Sequence, residues 1–155
     1  MYRDLRDHNS LSNQEKLDYF GNRAILAPLN AEVDEINEAC LNQLPAEGKT
    51  YASADTAIDE LGTPNPAYPP EYLNGLNFPS MPPHVVQLKV GCPIISLRNL
   101  DPASGLCNGM HLIVTVLQER VIEAKILSGR HAGKAVFIPR ILLITPPTSG
   151  FPFRL

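Results

Sequence analysis

The sequence predicts an α+β fold: a short βα fragment, a long proline-rich connection and then a small antiparallel β-barrel. Between residues 88 and 143, short β-branched runs alternate apolar and polar residues, as half-buried antiparallel strands do. Between Val33 and Leu44, apolar residues recur with the three-to-four-residue spacing of an amphipathic helix. Residues 45–83 show neither pattern and are rich in proline. These three observations give the predicted order of elements.

The first part of the chain predicts a βα unit. Ser12 and Glu15 fit a capping box at the start of a short helix. The apolar run 23–27, which ends before Pro28, fits a buried strand. Asn30 is a suitable N-cap for the next helix, which is predicted to have about fourteen residues and one apolar face. Because a single βα unit cannot bury that face alone, we expect it to need neighbouring elements.

The connection over residues 45–83 is predicted to be extended, with short helical turns at residues 55–61 and 71–76. Proline clusters such as Tyr68-Pro69-Pro70 and Met81-Pro82-Pro83 exclude long helices and central strands here. A structureless connection of this length inside one compact domain is unusual. It is typical of a functional or linker segment.

The barrel is predicted from strands between residues 88 and 143, including runs at 120–127 and 134–138. Turn residues separate the strands at 101–105, at Asn108-Gly109 and in the glycine-bounded basic segment 128–134. Five strands of this length would close economically as an SH3-like barrel. The predicted inward positions on the last three strands are Leu112, Val114, Val116, Ile122, Ala124, Ile126, Val136 and Ile138.

Charge divides the chain into two unequal parts. Residues 1–85 contain 5 Lys/Arg and 13 Asp/Glu, a net charge of −8, whereas residues 86–155 contain 8 and 3, a net charge of +5. A basic β-unit after an acidic segment favours a polyanionic partner for the second part alone. Solvation of a small barrel by basic side chains is the alternative explanation.

The sequence lacks the residue patterns that are typical of several classes of function. The sequence has no phosphate-binding loop of the Gly-x-x-x-x-Gly-Lys-Ser/Thr type and no nucleophile elbow. Cys107, His111, His84 and Cys92 do not follow a known zinc spacing, so no metal site is predicted. No apolar run reaches the roughly 18 residues of a membrane-spanning helix, and no signal peptide is recognised, so we expect an intracellular protein without a membrane partner.

Many segments of the chain resemble the petite-integration-frequency (PIF) family of superfamily-1B ATP-dependent DNA helicases, most closely the Helitron-transposon type. The first is Arg23-Ala24-Ile25-Leu26-Ala27-Pro28-Leu29-Asn30, which is similar to helicase motif four. The resemblance is densest in Leu88-Lys89-Val90-Gly91-Cys92-Pro93-Ile94, Leu97-Arg98-Asn99-Leu100-Asp101-Pro102 and Gly105-Leu106-Cys107-Asn108-Gly109. It continues through His131-Ala132-Gly133-Lys134 and Phe137-Ile138-Pro139-Arg140-Ile141.

The resemblance implies a division of the chain into four parts. Residues 1–50 would be a fragment of the second RecA-like motor domain, 51–83 an extended connection, 84–147 the inserted SH3-like domain, and 148–155 a truncated return to the motor domain. It also implies 5′-to-3′ DNA unwinding in recombination, repair, telomere maintenance or transposition, in the nucleus or mitochondria. Full-length relatives use ATP and magnesium, but this chain has none of their ATPase motifs. We therefore expect no cofactor and no ATP hydrolysis here.

Single-stranded DNA is the expected partner, together with the helicase motor domains. Within the barrel, Met110-His111 stands where the family commonly has Thr-Arg, which removes a permanent charge. Arg98 is the leading DNA-binding candidate. Asn30 is included because amides at a helix start often bind phosphate. The full set of candidates is Asn30, Arg98, Asn99, Asn108, His111, Arg130 and Lys134.

Simpler roles also explain some of these residue types. The role of an ordinary N-cap also explains Asn30, and the role of an ordinary turn residue also explains Asn108. Two other functions stay open at this point. One is a DNA-binding module without catalysis; the other is an inactive transposon remnant or a protein-interaction barrel, in which the apolar helix face would be exposed.

Overall fold

The computed structural model of the chain describes residues 25–59, 61–78, 81–145 and Phe153. The helices in this part are α1 (Asn30–Gln43), α2 (Pro70–Asn74) and a short 3₁₀ helix (Pro102–Ser104). The strands are β1 (Gly48–Ala52), β2 (Val85–Lys89), β3 (Pro93–Ile95), β4 (His111–Leu117), β5 (Val121–Ile126) and β6 (Ala135–Pro139). None of the described helices is long and apolar enough to cross a bilayer.

The chain forms two compact units, each with its own apolar core. The first unit combines the described residues up to Lys49 with Leu88–Pro139, and the second combines Thr50–Gln87 with the described residues from Arg140 onward. The core of the first consists of Leu106, Leu112, Ala124, Ile126 and Val136. The core of the second consists of Ala57, Leu73, Phe78 and Phe153. The four-part division predicted from the resemblance stays a prediction.

A four-stranded antiparallel sheet in the order β3-β4-β5-β6 dominates the first unit. Ile94 lies opposite Leu112 and Leu112 opposite Ile126, so these three side chains share one face. Because side chains alternate along each strand, this face collects every second residue and forms the core. Leu112 and Ala124 are fully buried. The predicted inward positions on β5 and β6 are confirmed, with Ile122 and Ile138 half-buried.

A register shift in β4 turns one side chain that was predicted to lie inward to the opposite face of the sheet. The pairing of β4 with β5 is irregular between Val114 and Val116, so Val116 lies opposite Glu123, and Leu117 lies opposite Ile122. One extra residue on one strand moves every later side chain to the other face. Val114 is 1% exposed and Val116 is 38% exposed. The prediction that Val116 lies inward is therefore wrong.

The α+β class is confirmed, but the described strands do not close into a barrel. β3 and β6 each have one partner within the sheet, which leaves both as edges. The first strand predicted for the barrel, β2, is paired instead with β1 in a separate two-stranded sheet. Since β1 was not predicted, its pairing with β2 could not be foreseen.

The amphipathic helix is confirmed as α1, with 14 residues, but two details at its start differ. Its N-cap is Leu29, and Asn30 is already its first residue, so the prediction that Asn30 is the N-cap is wrong. Residues 25–27 do not form the predicted strand. The capping box at Ser12 and the start of that strand lie outside the described residues.

The second unit is built around α2 and a network of polar contacts. The predicted helical turn at 71–76 is confirmed as α2, which buries Leu73. The described residues of the turn predicted at 55–61 are not helical; Ile58 bridges Pro64, and the Asp59 carboxylate accepts backbone hydrogen bonds. Two segments that are distant in sequence meet at Ser53. Its hydroxyl donates to Asp55 (2.6 Å) and lies 2.7 Å from Nδ1 of His84.

Candidate nucleic-acid interface

Two connections leave the four-stranded sheet at the same end. β3 ends at Ile95 and β4 begins at His111, while β5 ends at Ile126 and β6 begins at Ala135. Because neighbouring strands are antiparallel, the β3–β4 and β5–β6 connections lie side by side. We call residues 96–111 and 127–134 together the basic end. Six of the seven candidate residues lie in it: Arg98, Asn99, Asn108, His111, Arg130 and Lys134.

The β3–β4 connection is fixed by a compact turn at Asp101. The Asp101 carbonyl accepts a hydrogen bond from the amide of Leu106 (2.9 Å), and its carboxylate accepts one from the amide of Ser104 (3.2 Å). Asp101 is thus the N-cap of the 3₁₀ helix, a role that suits a short acidic side chain. Gly105 ends this helix at a φ of 87°, in the left-handed region that glycine adopts without steric cost. The turn chemistry predicted for 101–105 is confirmed.

Asn99 and Asn108 are joined by a hydrogen bond. The Asn108 amide donates to Oδ1 of Asn99 at 2.9 Å, which ties the two arms of the connection together. Ser96 strengthens this pairing, since its carbonyl accepts from Gly109 (2.7 Å) and its amide donates to Met110 (3.0 Å). Both asparagine residues are exposed. Asn99 therefore positions the loop, and the side chain of Asn108 stays at the surface.

Arg98 lies in the same connection and is only partly exposed. Its backbone carbonyl accepts a hydrogen bond from the Ser96 hydroxyl (2.8 Å), which holds the residue in place. Its Nε is buried and has no hydrogen-bond partner among the described residues. A guanidinium has five donors and remains charged at any physiological pH. The cation is therefore held in place through its backbone, while its buried Nε is left without a hydrogen bond.

The two connections of the basic end pack against each other at Gly105 and His131. A Cβ added at Gly105 would lie 2.7 Å from Cδ2 and 2.9 Å from Cγ of the His131 ring. The absence of a side chain at Gly105 thus allows the imidazole to approach the backbone. This contact brings Arg130 and Lys134 to the connection that contains Arg98.

Positive charge predominates at the basic end. Arg98, Arg130 and Lys134 are its permanent cations, and Asp101 is its one acidic residue in the sequence. Hydrogen bonds from Ser104 lower the pKa of the Asp101 carboxyl, and the positive charge of Lys134 lowers it further. Arg130, Lys134 and His111 are exposed. Clustered exposed cations of this kind are suited to binding phosphate groups.

Asn30, the seventh candidate, lies outside the sheet as the exposed first residue of α1. Residues that the sequence reasoning missed include His131 and Ser96, which position the basic end. Phe137 was also missed, although the alternation that puts Val136 and Ile138 inward also predicts that Phe137 lies outward.

Metal chemistry finds no support in the part of the chain that the structure describes. Within residues 25–59, 61–78, 81–145 and Phe153, no three His, Cys, Asp or Glu side chains come together as a metal site requires. Outside the basic end, at the start of β3, burial raises the pKa of the Cys92 thiol, which favours the unreactive protonated form. The cations and asparagine residues of the basic end offer charge and hydrogen bonding.

A family model supports the resemblance noted from the sequence. Residues 71–117 match the model described as "DNA helicase Pif1, 2B domain". The match spans α2, β2, β3 and β4, and so includes Arg98, Asn99, Asn108 and His111 of the basic end. No curated protein matches the chain.

Solved Pif1 structures from Bacteroides are similar to the described fold. The structure of Bacteroides sp. Pif1 with ADP-AlF4 is 20% identical, with a TM-score of 0.50, and the match covers 88% of this chain and 29% of that one. A double mutant of Bacteroides Pif1 helicase gives the same four values. Bacteroides Pif1 bound to ssDNA is 21% identical, with a TM-score of 0.48, and the match covers 94% and 32% of the two chains.

The chain thus spans less than a third of the length of these helicases. The similarity in fold extends over most of the chain, whereas the family model covers the segment from α2 to β4. The Helitron type inferred from the sequence stays a prediction. The resemblance of this chain to part of a Pif1-type DNA helicase, including its 2B domain, is confirmed.

Proposed function

We propose that this chain is part of an ATP-dependent 5′-to-3′ DNA helicase and that it contributes a binding surface for single-stranded DNA. The observation on which this rests is the convergence of Arg98, Arg130 and Lys134 at the basic end. The Pif1 2B-domain match over residues 71–117 supports the same class of partner. Bacteroides Pif1 has been solved bound to ssDNA, which agrees with the proposal.

The basic end would bind the DNA backbone rather than read its sequence. Arginine and lysine contacts to phosphates position a nucleic acid but do not distinguish bases. Arg98 is the leading phosphate contact, because it is a partly exposed permanent cation whose backbone is held by Ser96. Arg130 and Lys134 would contact neighbouring phosphates, while Asn108 and His111 would add hydrogen bonds from the adjoining surface. Asn30 stays a separate candidate at the start of α1.

Catalysis would depend on residues other than those of this chain. We propose that ATP and magnesium are bound by helicase motor domains whose motifs the printed sequence lacks. Those motor domains are the proposed protein partner. The proposed processes are recombination, repair, telomere maintenance or transposition, with the protein in the nucleus or the mitochondria.

The proposal is tested by fluorescence anisotropy with a labelled dT oligonucleotide over a salt series. We expect binding that weakens as salt rises. A plot of the logarithm of the binding constant against the logarithm of the salt concentration should have a slope of about −0.7 per phosphate contact. Arg98→Ala should weaken binding and reduce the magnitude of the slope by about 0.7. Arg120→Ala is the control, because Arg120 carries the same charge and is exposed but lies between β4 and β5, at the opposite end of the sheet.

Three results would be informative. Loss of affinity in Arg98→Ala but not in Arg120→Ala supports the proposal. Equal losses in both variants would show unspecific attraction to positive charge, which contradicts a defined site. A folded wild-type chain that binds no oligonucleotide at low salt would overturn the proposal and favour a protein-interaction module or an inactive remnant.

A binding module without any helicase partner is a second candidate. The four-stranded sheet favours it, because the sheet encloses its own core of Leu106, Leu112, Ala124, Ile126 and Val136. A unit with its own core can fold without the rest of a motor domain. Adding the separately expressed motor domains of a Pif1 helicase distinguishes the two candidates. Stable association of the domains supports the helicase part, and independent DNA binding without association supports the module.

A further inference from the structure

The four-stranded sheet has an outer face that lies opposite its core. Cross-strand partners place Ile113, Lys125 and Ala135 in one row on this face, and Val116, Glu123 and Phe137 in the next row. Ile95 lies opposite His111 in the row nearest the basic end. We call this surface the outer face; it consists of Pro93, Ile95, His111, Ile113, Val116, Glu123, Lys125, Ala135 and Phe137.

Large apolar side chains are exposed on the outer face. Phe137 is 63% exposed, Ile95 is 52% exposed and Val116 is 38% exposed. The register shift in β4 turns Val116 outward beside Glu123 and thereby enlarges this apolar area. An aromatic ring that is mostly exposed on an otherwise well-packed sheet indicates a binding surface.

Charged groups on and beside the outer face favour a polyanion with planar groups. Lys125 and His111 are exposed on this face, and Lys125 lies opposite Ala135 of β6. Glu123 is the one acidic residue of the face, and its carboxylate accepts a hydrogen bond from the Thr115 hydroxyl (3.1 Å). This bond satisfies part of the acceptor capacity of Glu123. The outer face thus combines an exposed ring with a cationic border.

We infer that the outer face is a stacking platform for unpaired nucleobases, with Phe137 as its central residue. This inference rests on the proposed function, since it requires a single strand whose phosphates lie at the basic end. Aromatic rings on a sheet next to a basic groove are the general means of holding single strands without sequence preference. The positive charge of Lys125 and the exposed hydrogen-bonding imidazole of His111 make nucleic acid a better occupant than an apolar peptide.

The pairing of β5 with β6 agrees with this arrangement. Lys125 lies opposite Ala135 and Glu123 lies opposite Phe137, so Lys125 and Phe137 are diagonal neighbours on the outer face, roughly 7–8 Å apart. Stacked nucleotides rise by about 3.4 Å each, so this distance matches roughly two nucleotides. A strand with a phosphate at Lys125 can therefore place a neighbouring base on Phe137. β6 is also an edge strand, so its outer side is open to a ligand.

The test compares a dT oligonucleotide with an abasic oligonucleotide of the same length and charge. The full chain should bind the dT strand more tightly, and Phe137→Ala should weaken dT binding by about tenfold while leaving abasic binding unchanged. Leu61→Ala is the matched control, because Leu61 is 90% exposed and lies in the second unit. Phe137 is mostly exposed, so the substitution should not unfold the sheet.

A spectroscopic variant gives an independent readout. The sequence has no tryptophan, so Phe137→Trp introduces a single indole at the platform. We expect dT to quench this indole by stacking and to bind with near wild-type affinity, whereas the abasic strand should bind without quenching. Unchanged dT affinity in Phe137→Ala, or equal fluorescence with both strands, would overturn the platform.

The two proposals fail in different ways. If the wild-type chain binds neither oligonucleotide, the proposed function fails and the platform fails with it. If it binds both strands equally and Phe137→Ala has no effect, the basic end remains a DNA-binding site and only the platform is wrong.

Discussion

Gly105 and His131 show how one missing side chain shapes the basic end. The left-handed backbone at Gly105 ends the 3₁₀ helix, and the missing Cβ leaves room for the imidazole of His131. Two separate requirements therefore act on one residue: a positive φ and a close approach. The Asp-Pro-x-x-Gly pattern predicted the first requirement. The second depends on a residue 26 positions later, which local turn chemistry does not reveal.

Gly105→Ala should lower the free energy of unfolding by about 2–4 kcal/mol. A left-handed non-glycine residue costs about 1–2 kcal/mol, and overpacking against the His131 ring adds a similar amount. Urea denaturation measures the loss. Gly109→Ala is the control, because Gly109 has a φ of 80° but nothing lies within 4 Å of an added Cβ among the described residues. Equal losses in the two variants would contradict the role of His131.

The pKa of Asp101 tests the hydrogen bonds that hold the turn at the basic end. Its pKa is lowered first by hydrogen bonds from Ser104, so its contribution to stability is present above the unfolded-state pKa of about 3.9. That contribution is lost as the pH falls through the lower folded-state pKa. Ser104→Ala should shift the Asp101 pKa upward towards its ordinary value, as measured by NMR titration of the carboxyl carbon. An unchanged pKa in this variant would show that Ser104 is not the main cause.

At the scale of the elements, β4 determines which residues form the outer face. Its first half follows the simple alternation, and its second half is displaced by the register shift between Val114 and Val116. The strands β4, β5 and β6 and the helix α1 could be predicted because a long local pattern of apolar residues specifies each of them. The shift could not be predicted, because Ile113 to Leu117 is apolar at nearly every position and supports either register.

Substitutions in the two halves of β4 should have different effects on the free energy of unfolding. Val114→Ala should lower the free energy of unfolding by about 2 kcal/mol, because Val114 is 1% exposed. Val116→Ala on the same strand should change it by less than about 0.5 kcal/mol. Thermal or urea unfolding monitored by circular dichroism gives both values. A larger loss at Val116 than at Val114 would show that the simple alternation continues through β4.

Contacts between distant residues explain most of what the sequence did not predict at this scale. The sequence predicts a connection where β1 lies, yet β1 pairs with β2 in a sheet separate from β3–β6. Likewise, Ser53, Asp55 and His84 are polar residues in a proline-rich stretch, and only the fold brings them together. The start of α1 was missed by one residue, because Asn30 and Leu29 are both compatible with a helix boundary.

At the scale of the whole molecule, charge and fold divide the chain differently. The net charge is −8 over residues 1–85 and +5 over residues 86–155, whereas the first structural unit combines the described residues up to Lys49 with Leu88–Pro139. Six of the seven candidate site residues lie together at the basic end, because the strand order brings two connections to the same end of the sheet. The sequence alone could predict each turn and its cations. It could not show that His131 joins them.

The chain by itself should not hydrolyse ATP. Phosphoryl transfer needs residues that hold the nucleotide phosphates and magnesium, and the printed sequence has no phosphate-binding loop for this purpose. Phosphate release with ATP, magnesium and saturating single-stranded DNA should equal that of a protein-free blank. Hydrolysis that co-purifies with the chain and is stimulated by DNA would contradict this expectation and would require a nucleotide site of a different type.

The two edges of the open sheet have a consequence for handling the protein. An unpaired edge strand offers free backbone groups to a second molecule, which promotes aggregation through strand pairing. Both edge strands contain proline, Pro93 in β3 and Pro139 in β6, and proline has no amide hydrogen to donate. β3 is also only three residues long. These features should keep concentrated solutions of the chain free of fibrils even though the sheet is not closed.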